Sequence, residues 1–324
     1  MSKEKQQMVE AAILYYEKKH TQQEIAQAMQ LSRQTVSKLL SDALSERIVE
    51  IKIHNPEEEC AQLERALCAR FGLQRAVVCS IGAKSEAVCR LMTVRKAAEY
   101  LLPILQEGGR KIALSWGRTL QTLVEEFPSV RFCGNTVFPL FGATDSEKTC
   151  FLSNELARGF ADKIGAEVKY AWFPYRPDQA EDCALLKKTS YYQKINALWE
   201  QVDVAIVGIG NAAVLRMFED VFGYQEDESR AVGDIATHLF AQDGTLIPQY
   251  RNALCASVEN LRRAQETVAI ACSSPENDKV DAIVGGLRTG LIDTLVTDEH
   301  TARRAMEKAG EESTRRSVLE GRSL

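Results

Sequence analysis

The chain has 324 residues, 45% of them hydrophobic and 26% charged, with a formal net charge of −5. That length suffices for two domains with a sizeable core, and the acidic balance excludes wholesale coating of nucleic acid. The apolar run of roughly 18 residues that a membrane span needs is absent, the charged opening MSKEKQQMVE resembles no secretory or transit signal, and the nine cysteines are scattered, odd in number and never in C-x-x-C. A cytoplasmic chain with free thiols, no evident metal site and no cofactor is expected.

Residues 3–18 fit a first helix, with Val9, Ala12, Ile13 and Tyr16 at i, i+3, i+4 and i+7. Tyr15 and Tyr16 fall at its end, close to Gln22. A tyrosine hydroxyl there can reach phosphate, and one of the pair is expected in the core.

Thr21–Ile53 then reads as two short helices, a tight turn between them and an extended segment. Thr21 caps the first helix, with Glu24 at capping-box spacing, and Ile25, Ala26 and Met29 form its apolar stripe. Ser32 caps the second. Val36, Leu39, Leu40 and Ala43 lie on one of its faces; Arg33, Gln34, Ser37, Lys38 and Ser41 lie on the other. Arginine pairs with guanine, glutamine with adenine, and serine or lysine holds phosphate or base edges. A helix-turn-helix offers such a helix to the major groove, so DNA binding is favoured over an ordinary hairpin with a solvated face. Residues 1–53 carry eight basic and seven acidic side chains. So weakly basic a unit binds DNA modestly, which favours a dimeric or larger binder. Ile48, Val49, Ile51 and Ile53 alternate as a strand that would close a small wing.

Asn55–Pro56 marks a boundary. Residues 56–72 form a linker helix with Leu63, Leu67 and Phe71 at four-residue spacing, packed either on its own body or on a partner. From Gln74 apolar runs alternate with helical segments: AVVCSI, KIALSW, NTVFPLF, AEVKYAW, DVAIVGI, ETVAIAC and LIDTLVT, with a long helix over about 86–106. Seven strand candidates of this kind predict a doubly wound, Rossmann-like parallel sheet over 73–310, an α/β domain behind a small winged helix-turn-helix domain over 1–55. The charged tail, 311–324, is expected to fray.

Ligands of such sheets bind at the carboxyl ends of the strands. Trp116-Gly117-Arg118-Thr119 follows KIALS, Phe141-Gly142-Ala143-Thr144 follows TVFPL, and Gly208-Ile209-Gly210-Asn211 follows DVAIV. Ala231–Ile235, with Asp234, lies in a later loop, and Ser273–Lys279 follows ETVAIAC. Small residues admit backbone N–H groups, helix N-termini favour anions, Asp234 can accept from sugar hydroxyls, and Lys279 or Arg118 can hold phosphate. Together these loops make a polar small-molecule site.

The run YYEKKHTQQEIAQAMQLSRQTVSKLLSDA, with VEIKI after it, resembles the N-terminal domain of SorC/DeoR-type bacterial transcriptional regulators. SWGRTL, FPLFGAT, DVAIVGIG, AVGDI and GLIDTLVTDEHTA resemble, in the same order, the effector domain of that family, which is related in fold to phosphosugar isomerases. The resemblance covers about residues 10–305. It implies a sugar or sugar-phosphate effector near Gly142, Ala143, Thr144, Asp234 and Lys279, with Asn154 facing it, and homo-oligomers, dimers or tetramers, on palindromic operators. It also implies that Tyr16, Gln22 and the face running from Ser32 and Arg33 through Gln34, Thr35 and Ser37 to Lys38 meet DNA. Three stretches depart from the family pattern. Arg47 stands where a glycine usually ends the second helix. The family's glycine pair after PL is Gly142-Ala143 here, with Asp145 close behind to repel a phosphate, and Pro275 and Glu276 replace glycines before Lys279. An unphosphorylated sugar stays open.

Two enzymes compete with this reading. DVAIVGIGNAA contains G-x-G-x-x-A after a strand, a weak dinucleotide fingerprint. A phosphosugar isomerase or deaminase with an appended DNA-binding domain is closer by fold, but His238 and His300 have no evident catalytic partner. A third reading is a DNA-binding module on an oligomerisation domain without ligand.

Overall fold

The computed structural model describes residues 3–49, 56–80, 85–144, 146–211, 230–248 and 252–320. The chain divides into two units, Met1–Asn55 and Pro56–Leu324.

In the first unit, α1 (Lys3–Ala12) continues as a π-helical turn over Ile13–Glu17, and α2 (Gln22–Met29) and α3 (Arg33–Ser45) follow. The two caps form as the sequence predicts. The Thr21 side chain accepts from the Glu24 N–H while Glu24 reaches back to the Thr21 N–H, and Ser32 Oγ accepts from the Thr35 N–H at 3.0 Å. Val36, Leu39, Leu40 and Ala43 are buried against Ile25, Ala26, Met8, Ala11 and Ala12. The buried stripe of α1 is therefore Met8, Ala11 and Ala12, one residue from the one the sequence predicts. The wider π turn, with Lys18 N–H bonded to Ile13 O, breaks the 3.6-residue spacing that would have carried the stripe to Tyr16. Tyr15 and Tyr16 are both exposed, edge to face at 5.0 Å. Helix α3 ends in a Schellman arrangement: Arg47 N–H bonds to Leu44 O, Ile48 N–H to Ala43 O, and Arg47 takes φ 56°. Ile48 and Val49 bend back onto the helices instead of beginning a strand. The rest of the expected wing strand lies outside the described residues.

In the second unit, α4 (Pro56–Phe71) belongs to the body of the α/β fold. Leu67 is fully buried and Glu64 accepts from the Val78 N–H at 2.8 Å. Seven parallel strands follow the order β1-β9-β8-β5-β2-β3-β4. They are β1 (Arg75–Cys79), β2 (Lys111–Leu114), β3 (Thr136–Pro139), β4 (Glu167–Val168), β5 (Val204–Asn211), β8 (Glu266–Ile270) and β9 (Thr294–Asp298). The central strands are apolar on both faces, as a sheet covered by helices requires: Val204, Ala205, Ile206 and Val207 are all buried. α5 (Glu86–Gln106), α6 (Arg118–Glu126) and α7 (Ser153–Ile164) form one layer; α4, α11 (Val280–Arg288) and α12 (Glu299–Glu320) form the other. Three shorter helices, α8 (Ala180–Leu186), α9 (Ser190–Trp199) and α10 (Val258–Arg263), are also present among the described residues.

Two features differ from the sequence reading. Ala231–Ile235 is no plain loop: β6 (Gly233–Ile235) and β7 (His238–Phe240) form an antiparallel hairpin on the end of β5. Three-residue strands carry too little alternation to show in sequence. Residues 311–320, expected to fray, continue α12, whose earlier turns bury Ala302, Ala305 and Ala309. Docking of the first turns supplies the nucleus that a charged tail alone would lack.

Candidate functional site

The chain leaves β2 toward β3 on one side and β5 toward β8 on the other, so the strand order reverses between the adjacent β2 and β5. At such a switch point the loops diverge and open a crevice at the carboxyl edge. A cavity of about 280 Å³ occupies that place.

After β2, Ser115, Trp116 and Gly117 lead into α6, whose N-cap is Gly117 at φ 110° with no side-chain cap. Arg118 and Thr119 open the helix and line the cavity. Trp116, 6% exposed, supplies an apolar wall, its ring tilted 41° against Phe141 with 3.9 Å between ring centroids. From β5 come Gly208, Ile209 and Gly210. Opposite Gly210 in the ladder stands Asp234. A Cβ at Gly210 would lie 2.0 Å from Asp234 Oδ1, so the bare backbone there is what lets the carboxylate in. Asp234 Oδ2 accepts from the Thr237 N–H at 3.0 Å, across a two-residue hairpin turn in which Ala236 and Thr237 both take positive φ. After β8, Lys279 caps α11 and donates from Nζ to Ile209 O at 3.3 Å.

Burial pushes the Asp234 carboxyl up to about 6, against the Thr237 hydrogen bond and the nearby Lys279, and burial pushes the Lys279 ammonium below its usual range. Glu86 and Arg90, on the first turns of α5, also face the cavity, as do Lys148, Cys150 and Phe151. Four cationic and two carboxylate side chains thus surround a half-apolar hollow.

Of the effector residues expected from sequence, the fold gathers Gly117, Arg118, Thr119, Gly208, Gly210, Asp234 and Lys279 around one cavity. Gly142, Ala143, Thr144 and Asn154 are not among the residues that line it. Gly142 N–H bonds to Leu254 O, and its absent Cβ makes room for the Pro174 carbonyl, 2.6 Å from where that atom would be. Ala143 pairs with the 173–175 segment, and Thr144 Oγ1 donates to Phe151 O. Asn154 clips the Ala171 backbone, accepting from its N–H and donating to its carbonyl. Asp145 lies outside the described residues; Pro275 and Glu276 sit exposed at the tip of a tight Ser274–Asn277 turn. Sequence reasoning missed Glu86, Arg90 and Lys148. The edge rule applied to β1 would have reached Glu86 and Arg90, which open the helix after that strand.

Gly208–Asn211 remains strand, paired first with β8 and then with β6. A dinucleotide fingerprint needs its first glycine in the turn that ends the strand, so the motif lacks its structural context.

In the first unit, Ser32, Arg33, Gln34, Thr35, Ser37 and Lys38 are all exposed, and Ser32 and Thr35 share a hydroxyl contact at 2.7 Å within the cap. Arg33 and Gln22 edge a shallow notch with Tyr15, Lys19 and His20; Tyr16 is not part of it.

A family model described as a sugar-binding domain matches residues 55–307, and a model for region 4 of sigma-70 matches residues 10–46. The sorbitol operon regulator of Klebsiella pneumoniae is 30% identical over 91% of this chain and 96% of that protein. The deoxyribonucleoside regulator of Bacillus subtilis is 28% identical over 94% of this chain and 98% of that protein. This chain belongs to the SorC-type family of sugar-binding transcriptional regulators. The crystal structure of full-length SorC from Klebsiella pneumoniae superposes with a TM-score of 0.70 at 29% identity, covering 94% of this chain and all of that one. As a SorC-type regulator, the chain joins a helix-turn-helix reader of DNA to an α/β sugar-binding domain, as the sequence predicts. No described helix is long and apolar enough to cross a membrane.

Proposed function

We propose that a sugar or polyol effector, free or as its phosphate monoester, occupies the cavity between the ends of β2 and β5, and that its binding changes the chain's hold on operator DNA. One observation carries this: the switch-point cavity of this chain's sugar-binding domain is lined by a buried Asp234, Lys279, Arg118 and an aromatic wall. A carboxylate and an ammonium read hydroxyl groups, an arginine at a helix N-terminus reads an anion, and Trp116 offers a face to sugar carbons. The relatives named for sorbitol and for deoxyribonucleosides point to polyols and pentoses as the first ligands to try.

In the same reading, Arg33, Gln34, Thr35, Ser37 and Lys38 meet operator bases and phosphates, with Tyr16 and Gln22 on the backbone. The near-neutral first unit holds DNA weakly, so a cytoplasmic dimer or tetramer presents paired recognition helices to a palindrome. The effector favours one of two quaternary arrangements.

Operator binding measured with a panel of pentoses, hexoses, polyols and their phosphate monoesters tests this, alongside thermal shift. A ligand that binds only the folded chain raises the melting temperature by mass action. A panel in which none moves either the melting temperature or operator affinity would sink the effector reading.

The Asp234–Lys279 pair also favours a second reading, since adjacent groups of shifted acidity serve acid–base catalysis on sugar phosphates. No histidine lines the cavity among the described residues. Turnover of a sugar phosphate by the purified chain would move the balance to an enzyme.

A further inference from the structure

Given an effector in this cavity, a reading on which the inference rests, we infer that Glu86 is a resident anion that competes with the effector's phosphate for Arg90 and Arg118. It thereby sets how far the cavity prefers phosphorylated over unphosphorylated ligands.

Glu86 opens α5, and its Oε1 is the meeting point of three donors. Arg90 Nη1 lies at 3.0 Å, Asn277 Nδ2 at 3.1 Å and Arg118 Nη2 at 3.4 Å. Burial works to raise its carboxyl, yet Asn277, Arg118, Arg90 and Lys279 outweigh that and hold it below the usual range. The carboxylate is thus ionised among cations from three different elements: α5, α6 and the N-cap of α11.

Take the carboxylate away, and two guanidiniums, an ammonium and the open N-terminus of α6 face one hollow. Such a group of donors suits a phosphate monoester, with three non-bridging oxygens and a charge of about −1.5 to −2 near neutral pH. The cavity's excess of cations over carboxylates points the same way. A phosphate entering there finds Glu86 in place, and two anions on one set of cations repel. Binding of a phosphorylated ligand therefore requires Glu86 to swing off Arg90 and Arg118. A neutral sugar held by Asp234, Lys279 and Trp116 leaves Glu86 where it is. Were Glu86 merely a helix-start residue paired i,i+4 with Arg90, its charge would support α5 and have no bearing on the ligand's phosphate.

The test is titration calorimetry on the full chain with inorganic phosphate, sorbitol and sorbitol 6-phosphate. Glu86→Gln keeps size and an acceptor for Asn277 and removes the charge; Glu86→Ala serves as the second variant. Inorganic phosphate and sorbitol 6-phosphate should bind about tenfold tighter to both variants than to the unmodified chain, while sorbitol changes less than about twofold. Adding Arg118→Ala to Glu86→Gln should remove the gain. Phosphate affinity unchanged or lowered in both variants, or an equal gain for sorbitol and its phosphate, overturns the inference. If the sugar ligands bind but the variants leave phosphate binding unmoved, the inference alone falls and the effector site stands. If neither inorganic phosphate nor any member of the sugar, polyol and phosphate-monoester panel binds any version, both fall.

Discussion

Gly210 and Asp234 show how one pair of residues shapes the cavity. The ladder places them opposite each other, and only a residue without Cβ leaves room for the carboxylate, 2.0 Å from where that atom would sit. Asp234 is buried, and burial pushes its carboxyl up to about 6 from an ordinary value of 3.8. A carboxyl whose folded value is raised stabilises the fold while protonated. That stabilisation is full below about pH 4 and is lost as pH rises through about 6. Asp234→Asn has no such loss. It should gain stability relative to the unmodified chain between those limits, by about 3 kcal/mol at most. Denaturant midpoints at pH 4 and pH 8 measure this; an equal difference at both would show that Asp234 is not the titrating group. Effector affinity in the unmodified chain should rise through the same window, because hydroxyl donors favour the ionised form.

At the scale of elements, the two ends of α3 carry different burdens. Its start is satisfied by Ser32 and exposes Arg33 and Gln34 beyond the cap. Replacing either by Ala should relax operator selectivity, each lost bidentate pair costing about 1–3 kcal/mol, as competition between operator variants would reveal. Unchanged selectivity in both would mean that another face reads the bases. The other end closes with Arg47 in the left-handed region at φ 56°. Residues with a Cβ pay about 1–2 kcal/mol there, and glycine does not. Arg47→Gly should therefore raise the stability of the helix-turn-helix unit by about 1 kcal/mol, less glycine's own chain entropy. It should also weaken DNA binding slightly through the lost charge. Thermal unfolding of the variant checks the first claim.

For the whole molecule, an effector that changes operator affinity must have its own affinity changed by the same factor when operator is present. Calorimetry of the effector with and without operator DNA should return that factor, about 5- to 150-fold for typical coupling. Equal effector affinities would exclude the linkage, however well each ligand binds alone. Operator affinity should also fall steeply with added salt, since phosphate contacts from a weakly basic unit act only in numbers.

The sequence alone determined the helix-turn-helix, its two caps and the buried face of α3. It also determined the seven apolar strand segments, because capping, helical period and buried-strand composition are written within a few neighbouring residues. Arg47 was visible as an unusual helix end for the same reason. That the stripe of α1 stops short of Tyr16 was not, because a π turn leaves no mark in apolar spacing. Which loops share a cavity was decided by tertiary structure. Lys111 and Val204 begin strands far apart in the chain, yet β2 and β5 are neighbours, and their adjacency opens the hollow. Edge position made Gly142–Thr144 look equivalent to Gly117–Thr119, and the family resemblance added Asn154. In the fold Gly142 and Ala143 pair with the 254–255 and 173–175 segments, and Thr144 and Asn154 bond to Phe151 and Ala171. Glu86 and Asp234 acquired their surroundings the same way. Burial and opposing charges come from segments that only the folded sheet brings together, so no local pattern could announce them.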